Sequence, residues 1–144
     1  MSKTRVNKKK RLKVIERSKS RCEYCQILAD YSPSAFDVEH IWPESKGGQS
    51  ILSNLALACG GCNKKKSDSI TALDKLSGNV VNFFHPRQQI WKEHFCWNTD
   101  GTIIIGLTDV GRVTVEVLKM NRVELMNLRK LLIMVNLHPP IDTI

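Results

Sequence analysis

Two cysteine pairs constrain this chain more than anything else in it. Cys22-Glu-Tyr-Cys25 and Cys59-Gly-Gly-Cys62 each space two thiols by two residues, so one tight turn aims both at a common point. Two such turns supply four thiolates, which fill a tetrahedral shell and suit zinc, with each sulfur about 2.3 Å from the ion. A filled shell leaves no open position, so the expectation is a structural zinc. Two redox pairs or incidental thiols are the alternatives, and the doubled spacing in one short chain favours zinc. Residues 26–58 separate the pairs, more chain than a compact ribbon needs, so a folded segment must stand between them. At 144 residues the chain is short enough to profit from a metal staple. The fifth cysteine, Cys96, sits between Phe95 and Trp97 and reads as buried packing.

Charge is unevenly placed. The net charge is +8, yet residues 1–21 hold ten Lys or Arg against a single acid, Glu16. That segment alone carries +9, so the rest is close to neutral. A basic arm beside a near-neutral body points to a phosphate-rich partner; a solvated tail or a localisation signal is the bland alternative. No apolar stretch follows the basic N-terminus as in a secretory signal, and no apolar run reaches the roughly 18 residues of a membrane span. The expectation is a cytoplasmic protein with no membrane partner, its cysteines kept reduced.

Residues 8–20 read as a short amphipathic helix with a cationic face, and 18–25 as a turn into the first knuckle. Residues 35–41 read as a strand that Pro43 ends, 44–53 as a loop around Gly47-Gly48, and 55–58 as a second strand. A helix is expected to start around 61–63. Beyond it come an aromatic stretch, 90–97, a turn at Asn98-Thr-Asp-Gly101 and a β-branched strand, 102–106. Residues 109–118 are ambiguous: Asp109 can cap a helix, but Val113, Val115 and Val117 alternate like a strand. Residues 124–135 place Leu125, Leu128, Leu131, Leu132 and Val135 at helical spacing.

Within the cysteine frame stand Asp37-Val-Glu39-His40-Ile-Trp-Pro43, Gly47-Gly48, Asn54-Leu-Ala-Leu-Ala-Cys59 and Cys62-Asn63-Lys-Lys-Lys66. Segment 22–66 resembles the HNH endonucleases, in the version whose ββα-metal core is braced by four cysteines. An acid–His pair, a distant Asn and an Asn after the last cysteine occur in the family's order. Pro86-Arg87, Trp91–Phe95, Gly106-Leu-Thr108, Asn121-Arg122 and His138-Pro139 also resemble the downstream part of a bacterial subgroup, with no chemistry attached.

The resemblance implies a metal-dependent endonuclease that hydrolyses phosphodiester bonds in DNA and leaves 5′-phosphate and 3′-hydroxyl ends. RNA is a further candidate substrate. Histidine ionises near neutral pH, so His40 is the expected general base. Glu39 is expected to give the catalytic cation a carboxylate, and Asn63 a neutral oxygen from the helix start. Two oxygen ligands leave room for phosphate and water, as Mg2+ or Mn2+ would require. Many family members carry Asp where this chain has Glu39, and Asp37, on the same strand face, is held in reserve. Asn54 is expected to pin the loop, holding the backbone of His40. Lys64, Lys65 and Lys66 read equally as phosphate contacts or as a solvated helix face. His94 reads as packing. Singly, a histidine after a strand or an asparagine after a cysteine is ordinarily structural; their coincidence in one frame is what favours a metal site.

The expected fold class is α+β: a small zinc-braced ββα-metal core at 22–70, a basic N-terminal helix or arm at 1–21, and a C-terminal strand and helix extension at 71–144 packed on the core. A non-catalytic zinc module that binds nucleic acid is the alternative. A third reading makes the apolar helix 124–135 a docking surface.

Overall fold

Asn7 starts the first element, because its side chain accepts the backbone N–H of Lys10 and so satisfies one of the unpaired donors of a helix N-terminus. The helix that follows, α1 (Lys8–Arg17), buries Val14 and leaves Lys8, Lys9 and Lys13 in solvent. The computed structural model describes residues 6–141. Its fold is α+β, and the chain divides into two units: residues 1–70 with 85–87, and residues 71–84 with 88–144.

In the first unit, β1 (Asp37–His40) pairs antiparallel with β2 (Leu55–Ala58), with Asp37 opposite Ala58 and His40 opposite Leu55. All four residues of β2 are buried, which suits Leu-Ala-Leu-Ala between packed neighbours. Cys59 then caps α2 (Gly60–Lys66), its sulfur accepting from Cys62 N. This is a ββα unit with α1 lying on β2. The strand is shorter than the expected 35–41; past its C-terminal end, Ile41 N turns to the carbonyl of Asn54 and Trp42 N to its side chain. Gly48 is required in the loop: a Cβ there would stand 1.7 Å from Trp42 O.

Much of the positive charge on α1 is structural. Lys10 Nζ donates to Ser50 O at 2.7 Å, Arg11 to Phe36 O at 2.8 Å, and Arg17 to the carbonyls of Leu52 and Leu55. These charge-assisted bonds tie the helix to β2, to the residue that precedes β1 and to the loop between the strands.

In the second unit, β3 (Thr71–Leu73) and β4 (Val80–Asn82) form a hairpin, and β5 (Phe95–Trp97) pairs antiparallel with β6 (Ile104–Gly106). Three helices complete it: α3 (Trp91–His94), α4 (Asp109–Val117) and α5 (Val123–Met134). Its core holds Phe83, Phe84, Trp91, Phe95, Ile104 and Val113. The rings of Phe84 and Phe95 meet edge to face at 5.2 Å, a favoured aromatic arrangement.

The ambiguous 109–118 stretch is helix. Its cap is Thr108, whose hydroxyl accepts from Gly111 N, rather than Asp109, which lies in the first turn. The alternating valines do not make a strand because Gly111 lets the helix approach the backbone; a Cβ there would come within 2.0 Å of His94 O. The expected strand 102–106 loses its first two residues. Asn98 Oδ1 captures the N–H groups of Thr102 and Ile103, closing the turn instead. Of the helical apolar set in 124–135, Leu125 and Leu132 are buried, while Leu131 and Val135 face solvent. Cys96 is half-buried rather than enclosed. His94 does more than pack, since its Nδ1 bonds the Thr108 cap at 2.7 Å. Among the described residues no helix is long and apolar enough to cross a membrane.

Candidate metal centre and active site

Cys22, Cys25, Cys59 and Cys62 are all buried, and their four sulfurs lie within 4.8 Å of one another. Each pair closes by the same turn: Cys25 N donates to Cys22 Sγ at 3.5 Å, and Cys62 N to Cys59 Sγ at 3.4 Å. Cys25 and Cys59 Sγ are 3.7 Å apart, which matches the edge of about 3.8 Å in a tetrahedron with bonds of about 2.3 Å. The donor set therefore fits zinc. Burial pushes the Cys22 thiol well up, whereas contacts from the other three thiols draw Cys59 down. Four buried sulfurs gathered this closely form a site that a cation completes by displacing the thiol protons.

Glu23, inside the first knuckle, links this cluster to the strands. Its Oε2 accepts Leu57 N at 2.8 Å, its own N–H donates to Leu57 O at 2.8 Å, and Oε1 pairs with Arg87. Burial, then the nearby charge of Arg17, lowers the Arg87 guanidinium to about 10.

The remaining candidates gather around β1 and α2. His40, 5% exposed, has Nε2 2.7 Å from Ser50 Oγ and Nδ1 3.6 Å from a Glu44 carboxylate oxygen. Asn54 clamps the loop as a three-way tie. Its Oδ1 accepts Trp42 N at 2.8 Å, and its Nδ2 donates to Trp42 O at 3.0 Å and Gln49 O at 2.9 Å. The backbone it holds is thus that of Trp42, two residues past His40.

Glu39 and Asp37, two residues apart on β1, have different surroundings. Glu39 is 1% exposed; it accepts the Tyr24 hydroxyl and stands 3.6 Å from the buried Lys66 ammonium. Lys66 in turn donates to Ile41 O at 3.0 Å. Burial, then the charge of Glu39, pushes the Tyr24 hydroxyl well above its ordinary range. Asp37 is exposed, and its Oδ2 accepts Asn63 Nδ2 at 3.1 Å. The other end of that amide, Asn63 Oδ1, is buried without a hydrogen-bond partner.

The structure therefore brings Asn63 beside Asp37 and commits Glu39 to Tyr24 and Lys66. Lys66 leaves the group of possible phosphate contacts, whereas Lys64 and Lys65 remain exposed. Tyr24, Glu44 and Ser50 were not singled out by sequence reading, and Lys66 was read as a phosphate contact or a solvated face, not as the buried neighbour of Glu39. The one signal for Lys66 is its spacing: three residues after Asn63, it returns to the same helix face.

Residues 22–69 match the HNH endonuclease family model, and the ββα unit and the four-cysteine cluster both lie within that match. The chain is also similar to the Septu protein PtuB of Bacillus thuringiensis. The two are 25% identical over 116 residues, which cover 79% of this chain and 42% of that protein. The chain thus spans less than half the length of that relative. No solved structure matches it significantly.

Proposed function

We propose that this chain is a metal-dependent HNH endonuclease acting on phosphodiester bonds of DNA. The observation that carries the reading is the position of His40 and Asn63 in one zinc-compatible ββα frame, with a buried amide oxygen on Asn63 that accepts no hydrogen bond among the described residues. An acceptor left in that condition costs roughly 1–3 kcal/mol. A hard divalent cation such as Mg2+ or Mn2+ fits the oxygens here: the Asn63 amide and a carboxylate from β1, for which the sequence nominates Glu39. When bound, such an ion supplies positive charge to the phosphoryl and leaving oxygens.

The protein groups do the rest. Ser50 engages His40 Nε2, so Nδ1, on the Glu44 side, is the nitrogen assigned to take a proton from water. The Glu44 carboxylate would steady the imidazolium so formed. Asn54 fixes the loop that carries both partners. Lys8, Lys9 and Lys13 on α1, with Lys64 and Lys65 on α2, are exposed cations available to backbone phosphates.

One observation favours the second reading, a zinc module that binds nucleic acid without cutting it. His40 is nearly buried, with a side chain at each ring nitrogen, as in a purely structural histidine. Nicking of supercoiled plasmid by zinc-loaded protein separates the two. The nuclease reading expects nicking with Mg2+ or Mn2+ and none with EDTA. Binding without nicking on DNA or RNA, in any divalent metal, favours the module.

A further inference from the structure

We infer that Trp42 is a stacking platform for an unpaired nucleobase of the DNA substrate, close to the phosphate that is cut. The inference rests on the nuclease reading and specifies which form of DNA its site takes.

One exposed apolar side chain is ordinary on a protein surface. Trp42 is set apart by its fixation and its position. It is 44% exposed, between the buried Ile41 and Pro43. The other two tryptophans, Trp91 and Trp97, lie in ring contact with each other, their centroids 5.4 Å apart. Trp42 is nonetheless tied on several sides. Its backbone N–H donates to Asn54 Oδ1 at 2.8 Å, and its carbonyl accepts from Asn54 Nδ2 at 3.0 Å. Its indole Nε1 donates to Lys46 O at 2.7 Å. Gly48 lies against the same Trp42 carbonyl, where no Cβ would fit. Backbone and ring edge are therefore fixed, and little ordering is left to do when a ligand arrives. The indole N–H, its one polar donor, is already used, so the ring offers a ligand its π face rather than a hydrogen bond.

Position decides what that ligand is. Trp42 and Lys46, joined by the indole bond, bracket Glu44, whose carboxylate stands 3.6 Å from His40 Nδ1. Trp42 is two residues past His40, no more than about 7 Å along the backbone. Each DNA strand carries a phosphate about every 3.4 Å of helix axis, so a ring here meets nucleotides beside the one being cut. Lys64 and Lys65, exposed on α2, add positive charge to the same unit. Single-stranded nucleic acid is held by this combination: bases stack on the ring while cations track the phosphates. Paired bases in a duplex already stack on one another and offer no free face. The site therefore favours DNA with an unpaired base at the cut, as in a single strand, a flap or a flipped nucleotide.

The test reads binding, without added Mg2+ or Mn2+, so that cutting plays no part. Zinc-loaded wild type, Trp42→Ala and Trp42→Phe are titrated by fluorescence anisotropy against a labelled single strand, the same strand carrying abasic residues, and a duplex of equal length. Trp42→Ala is expected to lose at least about fivefold on the single strand, and Trp42→Phe, which keeps an aromatic face, less than about threefold. The wild type is expected to lose at least about fivefold on the abasic strand, and Trp42→Ala to bind both single strands alike. Duplex binding should be unchanged in both variants, whereas a collapsed loop would weaken duplex and single strand together. Thermal melts check that each variant is folded, and the abasic comparison on the wild type decides the matter even if Trp42→Ala is not. Equal loss on single strand and duplex, no loss by the wild type on the abasic strand, or a wild type that does not bind single strands would overturn the inference. Nicking of plasmid beside any of these results spares the nuclease reading. Single-strand binding that depends on Trp42, with no cleavage in any divalent metal, sinks the nuclease reading and spares the stacking site.

Discussion

Tyr24, Glu39 and Lys66 show how one strand end is held. A buried ammonium and carboxylate stabilise little as a pair, because desolvation offsets their attraction, but either one alone is costly. Lys66→Met is therefore expected to destabilise the first unit by about 3–5 kcal/mol, measured by thermal or denaturant unfolding. Adding Glu39→Gln should restore most of that loss. A single variant as stable as wild type would mean that the pair is not enclosed as described. None of this was readable in sequence. Lys66 follows Lys64 and Lys65 and differs from them only in which way it points, a fact set by α2 packing on β1. Asn63 and His40, in contrast, stand out in the sequence because the family resemblance picks them within the cysteine frame, and the structure sets them on α2 and at the end of β1.

Elements were legible where pattern and tertiary environment agree. β2 reads as a strand and is one, residue for residue, because Leu55–Ala58 are apolar on both faces and both faces are covered. The 109–118 helix was ambiguous because its valines satisfy either period, and the deciding contact is Gly111 against a distant backbone. The β3–β4 hairpin was unread. Its strands are short and exposed, and its turn is organised by Asp74, which accepts Ser77 N and takes both guanidinium contacts of Arg112 on α4. The Arg112 bonds hold the Asp74 carboxyl well below the usual carboxylate range. A carboxyl lowered in the folded state stabilises above its unfolded pKa, about 3.9, and that contribution is lost as pH falls below it. Asp74→Asn should therefore melt below wild type at pH 7, and the gap should narrow as pH falls below about 4. A gap that persists unchanged in acid would contradict the ionic origin.

At the scale of the whole molecule, the four-cysteine cluster and the basic helix each have a consequence. Structural zinc sites contribute roughly 10–16 kcal/mol in finger peptides, so a strong chelator, or Cys59→Ser, should unfold the first unit and expose Tyr24. Retention of its cooperative melt without metal would deny the cluster a folding role. The net charge of +8 was legible, but its division of labour was not: Lys10, Arg11 and Arg17 are spent on carbonyls, whereas Lys8, Lys9 and Lys13 are exposed. Replacing those three with Ala should lower the salt dependence of DNA binding by about three in the log–log slope, with stability unchanged. An unaltered slope would remove α1 from the interface. The central claim, that His40 drives metal-dependent cleavage, is tested most directly by comparing wild type and His40→Ala in plasmid nicking, both zinc-loaded and supplied with Mg2+ or Mn2+. The account expects the wild type to nick and the variant to lose at least about a hundredfold in rate while still folding and binding DNA. Equal nicking by the two, or none by either, would contradict it.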